Sequence, residues 1–165
     1  MDGFEADSGS IAWMLTSSAL VLFMTPGLAL FYGGMVRSKN VLNMLMMNFY
    51  CVLVIPVLWV LVGYTLSSEP FENDFLGSLD FAMLTGIGID DNGGKLATIA
   101  FLGMFAAITP ALISGAVADR MKFSAMLVFM TLWLLAVYAP IAHWVWGGGF
   151  LGSMGVLDFA GGTGV

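Results

Sequence analysis

Phe101, Phe105 and Thr109 recur at intervals of four residues, so on a helix they share one face. Two rings one turn apart can serve as an aromatic packing stripe. Along a pore they would instead form a hydrophobic constriction, which excludes hydrated ions by dewetting and passes small neutral species. Farther on, Ala142-His143-Trp144-Val145-Trp146 runs into Gly147, Gly148 and Gly149. Tryptophan at the end of an apolar run is a common interfacial anchor. An indole face also attracts a small cation by about 0.5–2 kcal/mol, so this end is a candidate cation site as well. Asp158 stands before Phe159-Ala160-Gly161-Gly162-Thr163, where its carboxylate suits a helix N-cap. A carboxylate fixed there would orient a cation site even without touching the cation. His143 is the one histidine and Cys51 the one cysteine. They can build neither a histidine cluster nor a cysteine-based metal site, and no cofactor is expected. The nucleophile-elbow, zinc-protease, P-loop and dinucleotide patterns are all missing, and enzymatic activity is not expected.

The elements that must hold these residues follow from composition. Of 165 residues, 59% are hydrophobic and 10% charged, against roughly 45–50% and about 25% in a soluble domain. Such a chain has too little polar surface to cover itself, which places it in a lipid bilayer. A net charge of −6 with five Lys and Arg residues disfavours nucleic-acid binding. Charge-free runs occupy residues 11–36, 41–66, 96–118 and 123–157. Each exceeds the roughly 20 residues needed to span a bilayer. The expected helices cover 11–36, 41–66, 96–118 and 123–146, and a fifth is expected to begin at 159. The first run has an acidic start and no basic leader, so it reads as a retained helix and not a signal peptide.

Lys and Arg set the orientation. Arg37 and Lys39 lie in one short loop and Arg120 and Lys122 in another, while ten of the eleven acids fall at the other end. Asp119 is the exception. The expected topology is therefore multi-pass, with the N-terminus outside and a long acidic external loop between the second and third helices. Pro26, Pro56, Pro110 and Pro140 lie inside the runs and should bend them. Asn43, Asn48, Thr65 and Ser114 either bond neighbouring helices or line a route.

Three segments carry a resemblance. Thr25-Pro-Gly-Leu-Ala-Leu-Phe-Tyr-Gly-Gly-Met-Val-Arg-Ser-Lys-Asn-Val-Leu42 resembles the first helix junction of ammonium transporters, the Amt/Mep/Rh group. Gly115-Ala-Val-Ala-Asp-Arg-Met-Lys-Phe-Ser-Ala125 resembles the junction between that family's third and fourth helices. Ala139-Pro-Ile-Ala-His-Trp-Val-Trp-Gly-Gly-Gly149 and Leu157-Asp-Phe-Ala-Gly-Gly-Thr163 resemble the segment that follows. The match runs through essentially the whole chain, in order.

The resemblance implies an all-α polytopic membrane protein, the first half of an eleven-helix fold of inverted repeats. It implies a homotrimer in the cell (plasma or inner) membrane with a pore in each subunit. Ammonium would be recruited at an outer vestibule, deprotonated, and passed through a hydrophobic pore as ammonia. By position, Trp146 resembles the vestibule tryptophan and Asp158 the buried carboxylate that organises recruitment. Phe105 resembles the inner of the two gating rings, and Phe101 is its neighbour one turn away. The family's two pore histidines and its second gating Phe are not matched, the first histidine being expected a few residues after Gly-Gly-Thr. On this resemblance the chain is the N-terminal part of a subunit, roughly two-fifths of it. A cytoplasmic regulatory protein is a possible partner. Two alternatives share the same residues: an ammonium-sensing receptor module fused to a signalling domain, and a non-conducting relative that packs with complete subunits.

Overall fold

The structure is a computed structural model that describes residues 7–68, 71–88 and 93–165. Among them, four helical spans are long and apolar enough to cross a membrane: Ser8–Met35, Ser38–Ser67, Gly93–Ala116 and Phe123–Ser153. The first starts three residues earlier than the hydrophobic run suggests, because Asp7 caps it by accepting a 2.9 Å bond from the Ser10 N–H. The cap supplies a partner that the first turn lacks. The fourth is continuous only to Trp146. It breaks at residues 147–149 and resumes as the short turn Phe150–Ser153.

Two of the four span prolines lie beside a change of helical register. Pro140 has no N–H to return to the carbonyl of Ala136. Just before it, Leu134–Tyr138 widens into a π-helical turn, in which Ala139 N–H reaches the Leu134 carbonyl. A second π-helical turn, Trp59–Gly63, follows Pro56 in the second span. Such turns are a recognised source of helix bends.

The first span packs along the second and third, and the fourth packs against the second. The core gathers Met47, Cys51, Ile55 and Trp59 from the second span around Ala106, Ala107 and Ala111 of the third. Met126, Met130, Leu134 and Tyr138 of the fourth close it. The small residues of the third span permit close backbone approach. At Gly115 an added Cβ would lie 2.6 Å from the Tyr32 ring, and the Tyr32 hydroxyl donates to the Leu112 carbonyl at 3.4 Å. Between the second and third spans, the Asn48 side-chain N–H donates to Ser114 Oγ at 3.0 Å, and Ser114 donates onward to the Ala111 carbonyl at 2.7 Å. These two polar residues therefore join helices. The first span leaves Trp13, Phe23 and Leu30 about as open as surface residues of a soluble protein, at 72%, 74% and 68%. These apolar side chains are left uncovered by the rest of the described chain.

The two ends of the bundle differ. At the basic end, Asp119 adopts a left-handed φ of 62°. It accepts a hydrogen bond from the Asn40 side chain and lies 4.0 Å from Arg37 Nε. The one acid out of place thus ties the two basic loops together. At the acidic end, the long loop contains a short antiparallel hairpin, Phe71–Asn73 with Leu76–Gly77. The hairpin is anchored to the spans. Thr65 Oγ donates to the Ser78 carbonyl at 2.9 Å and accepts from Phe81 N–H at 3.1 Å.

The stretch where a fifth helix is expected to begin, from residue 159, is irregular as far as Val165. Residues 158–165 make turns and bends. Gly161, Gly162 and Gly164 fall in this stretch, and glycine loses the most backbone freedom on entering a helix. A helix nucleus must order several residues before its bonds compensate.

Candidate functional site

The acidic end of the fourth span is built by glycines that let backbones meet. Gly147 N–H reaches the carbonyls of Ala142 and His143, at 3.1 and 3.0 Å, and Gly149 N–H also reaches His143 O at 3.0 Å. A Cβ on Gly147 would overlap the Ser67 carbonyl, and one on Gly149 would lie 2.8 Å from Trp144 Cα. The triplet therefore seats the end of the fourth span against the end of the second. His143 is fully buried at this junction. Trp144 faces the hairpin: its indole N–H donates to the Phe75 carbonyl at 2.8 Å, and its ring lies 5.5 Å from that of Phe150.

Trp146 turns the other way and meets Asp158. Its indole N–H donates to Asp158 Oδ2 at 2.9 Å. The second carboxylate oxygen, Oδ1, accepts from the Thr163 hydroxyl at 2.7 Å and from Thr163 N–H at 3.2 Å. Asp158 thus closes a turn instead of capping a helix, which departs from the expected N-cap. The Thr163 hydroxyl is the main cause holding its carboxyl below the usual range. Desolvation opposes it, and the Trp146 N–H adds to it. The benzenoid edge of Trp146 rests on Gly164, where a Cβ would lie 2.5 Å from the ring. Two residues singled out separately in the sequence are therefore one hydrogen-bonded pair, and Thr163 is its third member. The Asp-x4-Thr spacing was the available signal for Thr163.

Phe101 and Phe105 form the second pair. Their centroids are 4.9 Å apart with planes at 77°, an edge-to-face contact of the kind aromatic quadrupoles favour. Thr109, next in the row, donates its hydroxyl to the Phe105 carbonyl at 2.6 Å and lines a cleft of about 380 Å³ between the third and fourth spans. Leu112, Tyr138, Ile141, Thr163 and Gly164 also line it. The Phe101, Phe105, Trp146 and Asp158 side chains lie outside that lining. Thr163 and Gly164 connect the two regions, touching the Trp146–Asp158 pair on one side and the cleft on the other. Tyr138, buried beneath the cleft with its hydroxyl toward Thr109, carried no sequence signal beyond being a polar ring in an apolar run. Among the described residues no three His, Cys, Asp or Glu side chains converge as metal ligands would. The arrangement offers an aromatic face beside a fixed carboxylate, a ring pair, and a mostly apolar cleft with hydroxyls on its wall.

Comparison with known proteins identifies the family. A model of the Ammonium Transporter Family matches residues 12–165. An ammonium transporter of Bacillus subtilis (strain 168) is 49% identical over 160 residues, which cover 94% of this chain and 39% of that protein. The chain thus spans about two-fifths of the length of the curated relatives it matches. The crystal structure of Candida albicans Mep2 superposes with a TM-score of 0.85 at 36% identity, over 96% of this chain and 36% of the other. A structure described as a sensor Amt protein gives a TM-score of 0.88 at 23% identity, over 94% of this chain and 40% of the other. That last likeness is one of fold alone.

Proposed function

The chain belongs to the ammonium transporter family, and from that premise we propose that it contributes the recruitment site and part of the gate of an ammonium-conducting membrane path. The observation that carries the proposal is the bond from Trp146 Nε1 to Asp158 Oδ2. An indole held by its N–H keeps its π face in a fixed direction, and that face attracts a small cation by about 0.5–2 kcal/mol. Asp158 supplies the orientation and a nearby negative charge, and its own lone pairs are engaged by Trp146 and Thr163. It therefore acts as a positioning group and not as a direct ligand.

The acidic end faces the outside, with the N-terminus on that side. There the excess of carboxylates raises the local concentration of cations. Ammonium arriving at Trp146 gives its proton to water at the outer mouth and continues as ammonia, because a low-dielectric path penalises charge. Phe101 and Phe105, in mutual contact, act as one apolar plug that hydrated ions do not cross. The assembly is a homotrimer in the cell membrane, and the basic loops face the cytoplasm, where a regulatory protein can reach them.

The sensor reading uses the same residues. The transporter reading is preferred because the 49%-identical relative is described as a transporter, whereas the sensor likeness rests on 23% identity. The test is expression of the gene, in full, in cells that have lost their own ammonium uptake. Restored growth on scarce ammonium supports conduction. A membrane-localised product that binds ammonium, restores no growth and gives no uptake would overturn it in favour of sensing.

A further inference from the structure

Trp59 is 2% exposed and plays no part in the site described above. Its indole N–H donates to the Ile99 carbonyl at 3.1 Å. Its ring fills the notch that Gly103 leaves in the third span, where an added Cβ would lie 2.9 Å from Cδ1. Gly63 walls the same ring from its own span, with a Cβ there 2.9 Å from Cε3. The ring is further held edge-on by Tyr64 at 6.1 Å and Tyr138 at 6.0 Å. Trp59 opens one π-helical turn and Tyr138 closes the other, so the two widened turns meet through these rings.

Ile99 and Gly103 are four residues apart and share a face of the third span. Phe101 and Phe105 each stand two residues farther on, which is about 200° round a helix of 3.6 residues per turn. Trp59 therefore grips the third span from the side opposite the phenyl pair. A rotation or slide of that span would move both rings, and the indole resists each motion. The Ile99 bond sets the depth, and the seat on Gly103 sets the rotation.

We propose that Trp59 is the positioning residue of the Phe101–Phe105 pair, fixing the setting of the third span and through it the selectivity of the gate. This rests on the gating role proposed for that pair. The experiment compares uptake of ammonium and of its methylated analogue by the protein expressed in full, normalised to its abundance in the membrane. Trp59→Phe keeps a ring and removes the N–H. It should change the ammonium-to-methylammonium ratio about threefold to tenfold, the range for losing one buried hydrogen bond. Phe105→Ala should shift the ratio in the same direction, and the double variant should add little to either single change. Should Trp59→Phe fail to reach the membrane, Gly103→Ala displaces the indole from the other side and is judged by the same ratio.

If Phe105→Ala moves the ratio while Trp59→Phe and Gly103→Ala leave it at the wild-type value, Trp59 does not position the pair and the gate stands without it. Full additivity in the double variant would also overturn the proposal. If neither Phe101→Ala nor Phe105→Ala moves the ratio, the gate itself fails and the role of Trp59 falls with it.

Discussion

At the scale of single residues, Asp158 is the pivot. Its folded-state carboxyl sits below the ordinary value of about 3.9 because Thr163 and Trp146 donate to the charged form. A depressed carboxyl contributes stability that is complete above its unfolded value and is lost as pH falls through the lowered folded value. The turn 158–163 should therefore hold unchanged from neutral pH down to about pH 4 and open in stronger acid. The check is an acid titration of unfolding in detergent, comparing wild type with Asp158→Asn. The two should converge at low pH, and a constant gap between them would contradict this account. Asp158→Ala should be worse than Asp158→Asn, since asparagine retains one acceptor for the indole or the threonine. Trp146 and Asp158 were both legible in the sequence, but their bond was not. Nothing in a spacing of twelve residues across a glycine turn reveals that two side chains meet. Thr163, five residues from Asp158, had a local signal in the Asp-x4-Thr spacing, but that spacing did not reveal that it completes the pair with Trp146.

At the scale of elements, the glycine triplet decides how the second and fourth spans join. Gly147→Ala would drive a methyl group into the Ser67 carbonyl. Backbone on both sides cannot yield cheaply, and overpacking of this kind costs about 1–3 kcal/mol. The thermal midpoint in detergent should fall, whereas Gly34→Ala, with open space around it, should leave it nearly unchanged. Equal effects at the two positions would argue against the junction. The four spans could be read from charge-free runs to within a few residues, because a bilayer imposes one length and one composition. The hairpin at Phe71–Gly77 could not, since its hold on Thr65, Trp144 and Phe150 is tertiary. The prolines marked where the helices lose an N–H, but not the π-helical turns that lie near Pro56 and Pro140, while Pro26 and Pro110 sit inside unbroken α-helices. The fifth helix was expected from Asp158 as a cap, and the same carboxylate instead closes a turn on Thr163.

At the scale of the molecule, charge asymmetry is the basis of the proposed orientation. With buried Cys51 replaced by serine, Ser38→Cys and Thr85→Cys place single thiols on exposed positions at the basic and acidic ends. A membrane-impermeant maleimide should label Thr85→Cys on intact cells and Ser38→Cys only after permeabilisation. The reverse pattern would invert the proposed topology. Asp119, an anomaly in the charge count, resolves once the loops are seen together, as it joins Asn40 and Arg37 across the basic end. With Arg37 and Asp119 side chains 76% and 30% exposed, the ion pair adds at most about 1 kcal/mol, so Asp119→Ala should lower stability only slightly.

The central claim is that Trp146, held by Asp158, recruits the cation. It is tested most directly by uptake kinetics of Trp146→Leu in the protein expressed in full. Loss of a cation–π contact of about 1–2 kcal/mol should raise KM about fivefold to thirtyfold. The maximal rate should change little, because the contact is made before the rate-limiting passage. Unaltered KM at equal membrane abundance would contradict the account.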